Sequence, residues 1–279
     1  GRVTPAQKRA MVGALQSRDH TVAMTGDGVN DVLALKDADL GIAMGSGAGA
    51  TRSVAQLVLL DDSFAVMPSV VAEGRRVLGN IERVSDLFLT KSFYATAISI
   101  ATVLFVLPFP FLNRHLTVVT ALTIGTPAFF LALMPNTQRF HKGFFGRVLK
   151  FAIPAGLTCA VAAYSTYGYV LHFIGDVSEA RNAAVITLFT VAWWVLVQVA
   201  QPLNPIRWAI VLAMLAGFLG VLFIPPLSNL FALTWLPNHQ GLIAVAIGAI
   251  GALVVTFIRY RAGNAGHADS ADVEKEVAP

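Results

Sequence analysis

The chain has 279 residues, 56% of them hydrophobic and only 13% charged, with a mean hydropathy of +0.66. That is too apolar for an ordinary soluble domain and implies several membrane spans. The formal charge of +4 does not mark a nucleic-acid binder, because the basic residues fall mostly between apolar segments, and a lone cysteine, Cys159, excludes a disulfide framework or a thiolate metal site.

Residues 1 to about 75 read as a soluble, Rossmann-like α/β segment. Pro5 suits the first turn of a helix running to about Ser17, with Thr4 as its N-cap. Thr21-Val22-Ala23-Met24 is a short β-branched, apolar run that predicts a buried strand. The loop Thr25-Gly26-Asp27-Gly28-Val29-Asn30-Asp31 follows, and Val32 opens a helix. Leu40–Met44 predicts a second strand, ended by Gly45-Ser46-Gly47. Ala50–Gln56 predicts a short helix and Leu57–Leu60 a third strand, with Asp61 and Asp62 at its end. Alternating strand and helix predicts a parallel sheet covered on both faces. There is too little chain here for a complete domain of that type. Together with an opening on Gly1 in the middle of a motif, this leads us to expect a C-terminal piece of a longer protein.

The loop after the first strand carries the chemistry. Two glycines flank Asp27, letting the backbone turn sharply and approach a bound anion or metal. Asp27 and Asp31 lie four apart, so a carboxylate at the strand end and one in the first helical turn can share a cation. Oxygen ligands of this kind suit Mg²⁺, which takes one or two carboxylates with phosphate oxygens and waters. The place, outside the carboxyl end of a strand, is where open α/β sheets bind ligands. The bland alternative is an Asp/Asn/Gly turn that only caps a helix.

Met67 to Asp86 predicts a long helix of mixed charge that runs on into apolar sequence, a stiff rod leaving the soluble segment as the first span. Six segments reach spanning length: 86–108, 116–134, 149–174, 183–201, 207–226 and 240–258. Arg139, Lys142, Arg147, Lys150, Arg207, Arg259 and Arg261 cluster on one set of connectors. The positive-inside rule therefore puts the soluble segment and the C-terminus in the cytoplasm, as an even number of spans requires. Residues 261–279, polar and small, are expected to be a disordered tail.

The run TGDGVNDVLALKDADLGIAMGSG, Thr25 to Gly47, resembles the hinge motif of P-type cation-transporting ATPases, a branch of the haloacid-dehalogenase-like phosphotransferases. Val3-Thr4-Pro5-Ala6-Gln7-Lys8 resembles that family's segment ending in an active-site lysine, and the order of domains is similar along the whole chain. The membrane part resembles the E-type Ctp transporters of actinobacteria, a group linked to calcium. The resemblance implies a partial phosphorylation domain followed by a six-helix transmembrane bundle. It further implies Mg²⁺ and ATP as cofactors, a transported cation with calcium preferred, and a multi-pass protein of the plasma (inner) membrane, in contact with lipid. On the same likeness Asp27 binds Mg²⁺ with Asp31 in support, Asn30 donates to a phosphoryl oxygen, and Lys8 neutralises a phosphorylated aspartate. Thr25, Gly26 and Gly28 shape the phosphate loop. Taken alone, Lys8 reads as a solvated helix lysine, and Lys36 and Asp37 read as surface residues. The family's DKTGT nucleophile stretch does not occur, so the 279 residues alone are expected to be inactive and to need a missing N-terminal part of the same polypeptide.

For the ion path, the second span carries Thr117, Thr120, Thr123 and Thr126 before Pro127. Pro127 lacks an N–H, which frees the Thr123 carbonyl; unwound carbonyls and hydroxyls at mid-membrane are what transporters use for cations. A packing kink, with threonines bonded to their own backbone, is the alternative. In the first span Ser92 and Ala95 stand where the resemblance implies Asn and Glu. Lys91 either snorkels to the surface, pairs with Asp86, or serves as a built-in countercharge. No Asp or Glu lies deep in any span, so an acidic calcium ligand would have to come from spans outside this sequence, and Mg, Mn, K or H stand as alternative ions. A membrane-anchored phosphatase and a non-catalytic Mg²⁺-binding subunit are the readings outside transport.

Overall fold

The computed structural model describes residues 3–134, 143–236 and 239–276, with backbone alone over 262–276. It divides into two units, Gly1–Gly74 and Arg75–Pro279.

The first unit opens with α1 (Pro5–Gln16), whose Thr4 hydroxyl accepts from Gln7 N while the Gln7 side chain accepts from Thr4 N. This reciprocal capping satisfies two donors that a helix start leaves unpaired. Strands β1 (Ala23–Gly26), β2 (Leu40–Met44) and β3 (Leu57–Leu59) form a parallel sheet in the order β1-β2-β3. Ala23 pairs with Leu40, and Ile42 with Leu57. The crossovers are α2 (Val32–Asp37) and α3 (Gly49–Val54), as parallel pairing demands. Val12, Val22, Ala34 and Ala38 make a small core between α1, α2 and the sheet. The first strand sits two residues later than Thr21–Met24. Its register is set at Ala23, and the Val22 N–H goes instead to the Asp39 carboxylate at 2.8 Å.

The helix α4 (Met67–Phe105), which begins within the first unit and continues into the second, is a single helix of 39 residues, roughly 58 Å at 1.5 Å per residue. A broken span follows: α5 (Asn113–Thr120), a π-helical turn (Ala121–Gly125) and α6 (Thr126–Leu133). The remaining helices are α7 (Phe144–Ile174), α8 (Val177–Val199), α9 (Pro205–Phe223), the short α10 (Pro225–Phe231) and α11 (His239–Glu276). Among the described residues, six helical segments are long and apolar enough to cross a membrane, making this a multi-pass membrane protein. The most apolar stretch of α8 is 83% buried, against 22–50% for the others, so α8 is the centre of the bundle.

Several boundaries differ from expectation, three of them for a reason visible in the backbone or the composition. α4 stops at Phe105 rather than 108, at Val106 with φ of 52°. α9 stops at Phe223 rather than 226, because Pro225 and Pro226 start α10. α11 stays helical to Glu276, through most of the stretch expected as a disordered tail; its Ala, Glu and Lys content favours helix despite Gly263 and Gly266. Arg139 and Lys142, used for the orientation argument, lie outside the described residues.

Candidate functional site

The loop from Gly26 to Asp31 leaves the carboxyl end of β1 and tightens into a 3₁₀ turn, Val29–Asp31, before α2. Asp31 N donates to Gly28 O at 2.9 Å, closing that turn. The Asp31 side chain folds back under Gly26, and it is buried at 6% exposure. A Cβ on residue 26 would sit 2.6 Å from Asp31 Cβ, so only glycine allows this approach. From α1, Lys8 Nζ donates to Asp31 Oδ1 at 2.5 Å. The structure thus brings Lys8 and Asp31 into direct contact across 23 residues of chain. Thr25, Asp27 and Asn30 line the same loop with exposed side chains, and Gly28 is half-buried.

Two residues that the sequence reading did not single out hold this loop in place. Ala48 N donates to Asp27 O at 2.7 Å, and the Thr51 hydroxyl, fully buried, donates to Gly28 O at 2.9 Å. Gly47 packs so closely that a Cβ there would meet Asp27 O at 2.9 Å. No sequence signal marked Thr51, which lies in α3 just past the Thr25–Gly47 run that carries the resemblance. Asp62 caps this second loop, accepting from Ser46 N at 2.9 Å. That backbone bond holds the Asp62 carboxyl below its ordinary value of 3.8. Asp39 is lowered for the same kind of reason, first by Val22 N and then by the Gln16 side chain. Asp37 is more than a surface residue: it pairs with Arg9, and its carbonyl accepts from Gln16 Nε2, tying α1 to α2.

As a metal site the loop offers one exposed carboxylate, Asp27, beside a buried one already engaged by Lys8. A magnesium ion that takes one or two carboxylates and fills its shell with phosphate oxygens and water fits this donor set. Asp31 fits a supporting role better than direct ligation, because Lys8 occupies one of its oxygens.

In the bundle, the span expected to unwind widens instead into a π turn. Thr126 N donates to Ala121 O, an i→i+5 bond. The cause is Pro127, which has no N–H for Thr123 O and whose ring would crowd that carbonyl in a regular helix. Of the threonines, Thr123 is buried, Thr120 is half-buried, and Thr117 and Thr126 are exposed. Thr123 and Thr117 donate to carbonyls four residues back in their own helix, at 2.7 and 3.0 Å. Ser92 faces outward from α4 and donates to Phe88 O, so it does not meet the threonines. Lys91 is half-buried, and Asp86 takes Arg259 rather than Lys91 as its partner.

No protein-family model matches the sequence. Over 91% of its length, however, the chain is 46–47% identical to curated relatives, and it belongs with them to the P-type cation-transporting ATPases. They include the calcium-transporting ATPase CtpE of Mycobacterium bovis, at 47% identity over 269 residues, and that of Mycolicibacterium smegmatis, at 46% over 271. The probable cation-transporting ATPase exp7 of Streptococcus pneumoniae is 33% identical over 86% of this chain. The chain spans about a third of the length of these relatives (34% of CtpE and 32% of exp7).

Proposed function

We propose that this chain is the membrane-coupled, C-terminal part of an ATP-driven cation pump that forms and hydrolyses an aspartyl phosphate, with calcium as the preferred ion. The observation that carries this reading is one chain holding both the Lys8–Asp31 contact beside exposed Asp27 and six helices fit to span a membrane. The relatives named for calcium transport support the choice of ion. The soluble unit belongs to the haloacid-dehalogenase-like type in this reading, and it faces the cytoplasm from the plasma membrane.

Phosphoryl transfer is mostly positioning and charge neutralisation. Asp27 would hold Mg²⁺, which when bound neutralises charge on the phosphoryl group. Lys8 presents its ammonium to the phosphorylated aspartate, and Asp31 fixes the direction in which Lys8 points. Asn30 donates to a phosphoryl oxygen, and Thr25, Gly26 and Gly28 keep the loop close enough for both. The nucleophile and the nucleotide-binding region come from polypeptide outside these 279 residues. Thr120, Thr123 and Pro127 lie on the ion path; the Thr123 hydroxyl donates to Val119 O and keeps its lone pairs, and none of the three is an acidic ligand.

The test is ion-dependent phosphoenzyme formation by the full-length protein containing this chain, compared across Ca²⁺, Mg²⁺, Mn²⁺, K⁺ and H⁺. Calcium is expected to change the phosphoenzyme level most. A level that ignores calcium and follows another ion removes the calcium assignment, and no phosphoenzyme under any ion removes the pump.

A further inference from the structure

Polar contacts between α4 and the other spanning segments concentrate on one level of the helix, Asn80 to Asp86, just under two turns. Asn80 Nδ2 donates to Ala132 O and Met134 O, both at 2.8 Å, and so holds the last carbonyls of α6. Glu82 accepts from Arg147 of α7 through both carboxylate oxygens, at 3.1 and 3.2 Å. Arg83 donates to Gln201 O in the α8–α9 connection and to Asn80 Oδ1. The same connection is clamped from α9 by Arg207, which donates to Ala200 O and Pro202 O. Asp86 accepts from Arg259 of α11, whose guanidinium lies 4.8 Å from the centre of the Phe151 ring on α7. Asn80, Arg83 and Asp86 are 3–6% exposed.

Buried ion pairs are poor sources of net stability compared with apolar packing of the same volume; their best-attested use is to fix register. Here four side chains within seven residues reach α6, α7, the α8–α9 connection and α11. Simple adhesion would not need them all on one helix at one height. Resting on the pump reading, we infer that Asn80, Glu82, Arg83 and Asp86 are positioning residues that clamp α4 to α6, α7, the α8–α9 connection and α11. Motion of α4 at this level then carries those helices with it, and the π turn ahead of Asn80's anchor on α6 cannot be left behind. Without the clamp, hydrolysis of ATP proceeds while the ion path fails to follow.

The experiment uses the full-length protein in liposomes, measuring ion uptake and phosphate release on the same vesicles. Wild type that moves no ion on ATP addition overturns the pump reading itself, independently of the clamp. Given wild-type transport, Glu82→Arg is expected to lower ions moved per ATP about fivefold or more, at the low end of what site–site coupling energies produce. The exchange Glu82→Arg with Arg147→Glu is expected to return the ratio to within about twofold of wild type, as an interaction confined to the pair requires. A merely structural role lowers uptake and hydrolysis together and leaves their ratio unchanged, which overturns the inference. A ratio that stays low in the exchanged pair overturns it too. Should Glu82→Arg fail to reach the membrane, Glu82→Gln keeps the side-chain shape, and the same ratio decides.

Discussion

Two irregular stretches of backbone, the Gly26–Asp31 loop and the Ala121–Gly125 π turn, are held in opposite ways. The loop is fixed from outside: Lys8 of α1, Ala48 N and the Thr51 hydroxyl all bond to it, and Gly47 packs against it. The π turn is held mainly by bonds within its own helix, from Thr126 N to Ala121 O and from the Thr123 hydroxyl to Val119 O. Its anchors lie at the far ends of the span, where Asn80 grips the α6 carbonyls and His115, with Nδ1 accepting from Leu112 N, donates Nε2–H to Ala232 O. A π turn migrates by exchanging one i→i+5 bond for the next, with no partner outside the helix to lose. The loop has no comparable freedom. Chemistry on a phosphoryl group needs atoms held within a few tenths of an ångström, whereas a path that opens and closes needs a segment able to change shape.

The sharpest way to break this contrast is to disturb the loop from within. Gly26→Ala drives a Cβ to 2.6 Å from Asp31 Cβ and 2.9 Å from its Cγ, atoms that cannot swing away as a flexible side-chain tip could. Overpacking of this kind costs about 1–3 kcal/mol. The larger effect is on function, because Asp31 moves and takes Lys8 with it. Phosphoenzyme formation by the full-length protein is expected to slow about a hundredfold, the cost of displacing a reacting group by an ångström. Rapid-quench measurement of the phosphoenzyme checks this, and a rate unchanged from wild type would show that Asp31 does not orient Lys8.

Pro127→Ala disturbs the softer region and should do the reverse. The new N–H can bond to Thr123 O, and the span can close into a regular helix. Stability to denaturant is then expected to hold or rise, since proline in a helix interior costs about 3 kcal/mol that its surroundings only partly offset. Apparent ion affinity is expected to fall about tenfold, within the range of coupling between a conformational state and a ligand. Ion titration of phosphoenzyme formation, run beside urea unfolding, separates the two. An unchanged affinity would place the ion path away from this turn.

These regions were unequally legible from sequence. Capping by Thr4, strand Leu40–Met44 and the six apolar spans depend on spacing of a few residues, and their local period shows them directly. Pro127 announced an irregular helix, although sequence could not choose between unwinding and a π turn. The contacts that build the sites are of another kind. Lys8 meets Asp31 across 23 residues, Arg147 meets Glu82 across 65, and Arg259 meets Asp86 across 173. Such pairs leave no periodic trace, so the mixed charges of Met67–Asp86 read only as those of a long charged helix. Lys8 stood out only by its place in a recognisable segment. Thr51 was missed because one hydroxyl in a short helix resembles any other until its partner is known.

The smallest expected effect tests how the second loop supports the first. Asp62, in left-handed backbone at φ of 52°, accepts from Ser46 N at 2.9 Å, and Ser46 lies between Gly45 and Gly47 in the loop that braces Asp27. The bond lowers the Asp62 carboxyl below 3.8, so the folded state binds its proton less readily than the unfolded state does. A carboxyl lowered by folding contributes stability that is complete above its unfolded value. That contribution is lost as pH falls from there through the lower folded value. Asp39, lowered chiefly by Val22 N, acts in the same sense and the same acid window. Asp62→Asn keeps an oxygen to accept from Ser46 N but cannot titrate. Unfolding of the first unit, followed in the full-length protein by proteolysis from neutral to acid pH, should therefore show a shallower acid loss in Asp62→Asn than in wild type. Equal slopes would mean that the Ser46–Asp62 bond contributes nothing to the loop, leaving Ala48 N and Thr51 as the contacts that brace Asp27 and Gly28.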